Sequence, residues 1–137
     1  MSDQAANRHL VEIAAETHNA RDRDAFLACY GEELRVRWGD RDLIVTPDEH
    51  WNAVLSWAET FEGFAEKIQQ TVTEDDLVFV RSRYRGLHVG EWNGIAPTHK
   101  TVEWEAWQVL RIADGLIVEE RMLMDEWSLH QHLTESS

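Results

Sequence analysis

The alternation of apolar and polar positions divides the chain into a helical first part and a strand-rich remainder. Leu10, Val11, Ala14 and His18 recur at the spacing of one helix face, and Ser2 or Asp3 supplies the cap. Ala20-Arg21-Asp22 interrupts that pattern, and Asp22 opens a shorter helix carrying Ala25, Phe26, Cys29 and Tyr30 before Gly31. Thr46-Pro47-Asp48-Glu49 offers an N-cap hydroxyl, a proline at the first helical position and the glutamate of a capping box. Trp51, Val54, Leu55, Ala58 and Phe61 come next as the apolar stripe of that third helix. Between the second and third helices, Leu34, Arg35, Val36, Arg37 and Trp38 alternate with the period of two that marks a short strand. After Gly63 long strands are predicted over residues 65–73, 77–88, 101–112 and 116–124, with turns at Glu74-Asp75-Asp76 and Asp114-Gly115. Residues 126–133 read as a closing helix. Helices followed by a meander of long antiparallel strands predict an α+β domain with helices packed on one face of a curved sheet.

The length, 137 residues, fits a single domain over residues 1–137. Seven tryptophans allow a sizeable core with room for a pocket. Thirteen Lys and Arg stand against 26 Asp and Glu, a formal charge of -13 that repels phosphate backbones and anionic lipid. No nucleic-acid partner and no membrane partner are therefore expected. The lone cysteine, Cys29, has no partner for an intramolecular disulfide and reads as a small buried hydrophobe, with a reactive thiol as the alternative. The first sixteen residues lack the apolar core of a secretory leader, and no run of ~18–20 uncharged apolar residues occurs. The expectation is a soluble, cytoplasmic protein.

Several chemistries lack their motifs. There is no G-x-S-x-G elbow, no dinucleotide or phosphate-binding glycine loop, and no His-x-x-x-His or His-Glu-x-x-His pair among the seven histidines. No cofactor and no metal are expected. Single histidines from distant segments, His18 and His88, remain candidates for polar groups that converge on a pocket.

The stretch Gly86-Leu-His88-Val-Gly90-Glu-Trp92-Asn-Gly94-Ile95-Ala-Pro97-Thr98 is similar to the G-x-H-x-G-x-(aromatic)-x-G-I-x-P-T loop of the SnoaL-like polyketide cyclases, a branch of the NTF2-like superfamily. Leu110-Arg111-Ile112-Ala-Asp114-Gly115-Leu-Ile117-Val-Glu119 and the ending Asp125-x-x-x-Leu129-x-Gln131-x-Leu133 extend the resemblance over nearly the whole chain. The resemblance implies a cone-shaped α+β barrel around a pocket, homodimers through the outer sheet face, and a small-molecule ligand. It implies catalytic acid–base work at Asp125, whose alternative is the N-cap of the last helix. Trp38, Tyr84, Trp104 and Gln108 would line the pocket if the strand registers follow the family. Arg121, four residues before Asp125, would share its face, either holding an anionic oxygen of the ligand or forming a structural pair with a carboxylate. Trp107 and Val109 fall on the opposite, outer face and suit the dimer contact. The sequence departs from the family pattern at His99, Arg121 and Gln108, all expected near the pocket.

Together these expectations describe an enzyme that works without a cofactor, by acid–base chemistry of cyclase or isomerase type on a small apolar carbonyl compound. Intramolecular aldol closure is the reaction emblematic of the family. A small-molecule-binding protein without turnover is the alternative, and a dimeric scaffold with a filled cavity is the third.

Overall fold

A computed structural model describes residues 3–135. The chain runs through α1 (Gln4–Ala20), α2 (Arg23–Leu27), β1 (Tyr30–Trp38), β2 (Arg41–Val45), α3 (Pro47–Thr60), β3 (Phe61–Glu74), β4 (Leu77–His88), β5 (Thr101–Ala113), β6 (Leu116–Met124) and α4 (Glu126–Thr134). The six strands form one curved, unclosed sheet in the order β2-β1-β6-β5-β4-β3. This is the expected α+β architecture. The pairing differs from a pure antiparallel meander in one place: β1 runs parallel to β6. Tyr30 starts β1 rather than ending a helix, and β2, a strand without a clear alternating signal, folds back on β1 through the turn at Gly39 and Asp40.

Local chemistry fixes the helix starts. Asp3 caps α1 and Asp22 caps α2, each accepting from a backbone N–H three residues on. Ser2, the other candidate cap, lies outside the described residues. At α3 the Thr46 hydroxyl accepts from Glu49 N at 3.2 Å while the Glu49 carboxylate accepts from Thr46 N at 3.1 Å, a complete capping box with Pro47 inside it. Thr46→Ala is expected to cost about 0.5–2 kcal/mol. Urea unfolding would register it as a lower midpoint at constant slope; an unchanged midpoint would show that the hydroxyl contributes nothing.

The helices cover the concave face of the sheet, α1 lying across β3 and β4 and α3 against β1, β2 and β3. One core cluster joins Val11, Ala14, Leu34, Val36, Val80 and Leu110; a second joins Phe61, Phe64, Tyr84, Trp104 and Leu129. Burial alternates strictly along β4 and β5, with Tyr84, Trp104, Ala106, Gln108 and Leu110 inside. Along β3 it does not. Phe61 continues the chain directly from α3, and a register shift between Glu62 and Ala65 places Phe61, Phe64 and Glu66 toward the concave side. Gly63 at φ +72 makes that bulge. Gly86 faces it, because a Cβ there would stand 2.6 Å from Phe61 Cβ.

Candidate active site

Between the concave sheet face and the helices lies an internal cavity of about 460 Å³, within the range of small-molecule sites. Phe26, Tyr30, Trp38, Trp57, Phe64 and Tyr84 form its aromatic wall. Phe64 and Tyr84 stack with centroids 5.0 Å apart and planes 11° apart. The lining also includes exposed residues, Asp40 and Arg41 of the β1–β2 turn and Leu123 and Glu126 at the end of β6 and the start of α4.

Two carboxyl groups enter this apolar space. Glu66 is turned inward by the β3 bulge, and its Oε2 accepts from Ser82 Oγ at 2.7 Å and from Gln108 Nε2 at 3.3 Å. Glu120 on β6 is buried, and its Oε2 accepts from the Trp38 indole N–H at 2.7 Å. Burial pushes the Glu66 carboxyl up to about 7; the Ser82 bond opposes this and the charge of Glu120 adds to it. Burial also raises Glu120, against the pull of the Trp38 bond. Both carboxyls are thus held above the ordinary glutamate range, and Glu66 is poised near neutrality, as a proton carrier requires.

The neighbours are matched to that role. Burial, with the two glutamates, holds the Tyr30 and Tyr84 hydroxyls well above the ordinary tyrosine value, so both stay protonated. Tyr84 Oη accepts from Gln108 Nε2 at 3.3 Å, which leaves its own proton free to donate. Burial lowers His18 and His50 to about 4, so both imidazoles are neutral at physiological pH. His18 is held in place from two sides. Asn19 exchanges two hydrogen bonds with the backbone of Glu66, and Arg21 donates to the carbonyls of His18 and Phe64.

Of the residues singled out from the sequence, His18, Trp38, Tyr84 and Gln108 line the cavity. Trp104 stacks one layer behind Tyr84 at 6.0 Å and is buried in the core instead. His88 is a correction. It sits outside the lining, stacked on Phe61, and its Nδ1 accepts from Thr98 N at 3.1 Å, so it anchors the loop that follows β4. Arg121 is a second correction, because the β5–β6 register sets it beside outward-facing Val109. His99 is likewise on the loop and apart from the cavity. Among the described residues no group of three His, Cys, Asp or Glu side chains is arranged to hold a metal.

Asp125 is the third correction. It is exposed and caps α4: Oδ1 accepts from Ser128 N at 3.0 Å and Oδ2 from Ser128 Oγ at 2.6 Å. Those bonds lower its pKa, where an apolar pocket would have raised it. Asp125→Asn is expected to leave stability and any turnover near wild type, whereas Asp125→Ala costs about 0.5–2 kcal/mol of stability. Thermal unfolding of both variants checks this, and a loss of turnover in the asparagine variant with normal folding would restore Asp125 to the chemistry.

Sequence reasoning missed Glu66, Glu120, Tyr30 and His50 as cavity groups. Gly63 was the one available signal, since a glycine at the start of a strand marks a bulge that inverts the facing of the residues beyond it. For Glu120, set among Glu119 and Arg121, nothing local distinguishes the inward residue.

A family model described as SnoaL-like polyketide cyclase matches residues 8–133. No curated protein matches the sequence. Among solved structures, a protein of Jannaschia sp. CCS1 assigned as a SnoaL-like polyketide cyclase superposes with a TM-score of 0.86 at 18% identity, over 100% of each chain. AclR of Streptomyces galilaeus, assigned as a hydroxylase, gives 0.85 at 20% identity over 98% of this chain and 100% of its own. IdmH of Streptomyces antibioticus, assigned as a polyketide cyclase, gives 0.84 at 20% identity over 94% and 99%. At such identities the likeness is one of fold, and the assignments differ in chemistry. On the match over residues 8–133, the chain belongs to the SnoaL-like polyketide cyclase family, with the NTF2-like fold.

Proposed function

We propose that the protein is an acid–base enzyme that moves a proton at a carbon next to a carbonyl in a small, largely apolar substrate, with Glu66 rather than Asp125 as the proton carrier. The carrying observation is the Glu66 carboxyl, held by Ser82 and Gln108 inside an aromatic cavity that also contains Glu120, where burial raises it toward neutrality. A general base works best when its pKa lies near the working pH, which a solvated glutamate does not achieve. Glu66 takes the proton, and the O–H of Tyr84 or Tyr30 donates to the enolate oxygen that forms. Return of the proton from Glu66 to carbon completes an isomerisation; alternatively the enolate carbon attacks a second carbonyl, a C–C bond replaces its π bond, and the Glu66 proton passes to the new alkoxide to give the ring alcohol. These steps use only side chains of the cavity.

Deuterium exchange at the α-carbon of small aryl ketones, followed by proton NMR, tests the reading. Wild type is expected to accelerate exchange, Asp125→Asn to match it and Glu66→Gln to lose it. Binding without exchange by wild type would replace the enzyme by a small-molecule-binding protein.

The same proposal includes a homodimer and a cytoplasmic location. Phe79 pairs with Val109, and Trp107 with Leu123, on the outer sheet face, where Trp107 is 53% and Leu123 65% exposed. A second copy covering that apolar face is the occupant supported by the fold family's way of assembling. Light scattering at micromolar concentration tests it, and a monomer mass unaffected by Trp107→Glu rejects it. The buried, unpaired Cys29 thiol suits a reducing compartment. Among the described residues no helix is long and apolar enough to cross a membrane.

A further inference from the structure

Besides the tyrosine hydroxyls, the cavity carries polar side-chain atoms that the protein leaves without a partner. Asn19 Nδ2 donates to Glu66 O at 2.7 Å while Asn19 Oδ1 accepts from Glu66 N at 2.8 Å, which fixes the orientation of that amide. His18 Nδ1 meets the same Oδ1 at 3.0 Å and therefore carries the ring proton. His18 Nε2, with no hydrogen-bond partner among the described residues, is left as a lone pair on a ring that lines the cavity. Glu120 is bound by the protein through Oε2 alone, and its Oε1 has no partner among the described residues although the residue is only 4% exposed. His50, at 5% exposure, lines the cavity, and its ring makes no hydrogen bond among the described residues. These atoms line the cavity without a protein partner and are open to a group bound there; Glu120 Oε1 and His18 Nε2 can only accept, while the neutral His50 ring offers one donor and one acceptor.

Rings adjoin Glu120 and His50. The Trp38 indole holds Glu120, the Tyr30 and His50 rings meet edge to face at 4.5 Å, and Trp38 lies 6.5 Å from His50. Among the described residues no lysine lines the cavity, and the one arginine in its lining, Arg41, is exposed. A carboxylate buried without a cation is costly, and an ammonium ion would both donate to the free Glu120 oxygen and neutralise its charge.

We propose that the substrate carries a basic nitrogen, and that it binds as an ammonium ion seated on Glu120 within the ring formed by Trp38, Tyr30 and His50. This rests on the acid–base reading for the part played by Glu66 and adds the substituent that orients the substrate toward it. Glu120 is then the anchor and Glu66 the proton carrier, which explains why one cavity holds two glutamates.

The test is isothermal titration calorimetry of the full chain, near neutral pH, with 2-naphthylmethylamine, 2-naphthalenemethanol and 2-naphthoate, three probes of one shape and different charge. The amine is expected to bind at least about tenfold more tightly than the alcohol, and the carboxylate most weakly. Glu120→Gln should erase the amine preference and leave alcohol binding within about twofold, while Glu66→Gln, the second variant, keeps the preference. Equal affinity for amine and alcohol overturns the inference, as does a preference that survives Glu120→Gln, a preference lost in Glu66→Gln instead, or no binding of any probe at millimolar concentration. The two readings fail separately. Loss of the amine preference with α-proton exchange intact removes only this inference, whereas an amine preference without exchange removes only the enzyme.

Discussion

Glu66→Gln is expected to reduce α-proton exchange by about 10²–10⁴ and, at the same time, to make the protein more stable at alkaline pH. The two effects have one cause. A carboxyl whose pKa is raised to about 7 by burial is ionised in the folded state only against a desolvation penalty. Because the folded pKa lies above the unfolded one, the protonated group favours the fold at low pH, and that advantage is lost as pH rises through 7. Between about 4.5 and 7 each unit costs about 1.4 kcal/mol, so wild type should give up roughly 3 kcal/mol by pH 8. The amide of glutamine keeps an oxygen for Ser82 and Gln108 but carries no charge. The variant should therefore gain most of that energy at pH 8 and less than about 1 kcal/mol at pH 5. Urea unfolding at the two pH values measures it. A variant equally stable relative to wild type at both would mean that Glu66 is solvated and ordinary, and the proposed proton carrier would be gone.

The histidines act with the opposite sign. Burial depresses His18 and His50 to about 4, against an ordinary value of about 6.5. A base with a depressed folded pKa adds stability that is complete above the unfolded value and is lost as pH falls through the folded one. Each should therefore withdraw roughly 3 kcal/mol between about pH 6.5 and 4, enough together to unfold a domain of ordinary stability. Protonation of Glu66 returns part of this, so wild type should be most stable near neutrality. His50→Phe keeps an aromatic ring against Phe26 and Tyr30, which lie 5.0 and 4.5 Å away. It is expected to flatten the acid limb by about one proton and shift acid unfolding to lower pH. Circular dichroism along an acid titration checks this; superimposable curves for wild type and variant would show that His50 is not buried as a neutral ring.

Both predictions concern groups whose behaviour is set by what surrounds them, and this divides what was readable from the chain alone. Asp22 and Thr46 are legible as caps because a cap needs only a side-chain oxygen and a backbone N–H three residues on. The inward row Trp104, Ala106, Gln108 and Leu110 is legible because an unbroken strand alternates strictly. The capping alternative for Asp125 was likewise readable, although its motif drew attention to catalysis. The family was carried by the loop from Gly86 to Thr98, whose His88 proves to be a structural anchor.

The candidate site was not legible, for a physical reason that Glu66 and Glu120 share. Each lies beyond a register shift, one at Gly63 in β3 and one between Arg111 and Ile112 on the strand that pairs with β6. One extra residue reverses which face a side chain takes. Tyr30 needed the parallel pairing of β1 with β6, a contact between segments far apart in sequence. The sequence by itself determined the helices, the long strands, the caps and the family. Tertiary structure decided which of 26 acidic residues lost its water, because desolvation is a property of the walls around a carboxyl, and those walls come from β1, β4, β5 and α1 rather than from its neighbours in the chain.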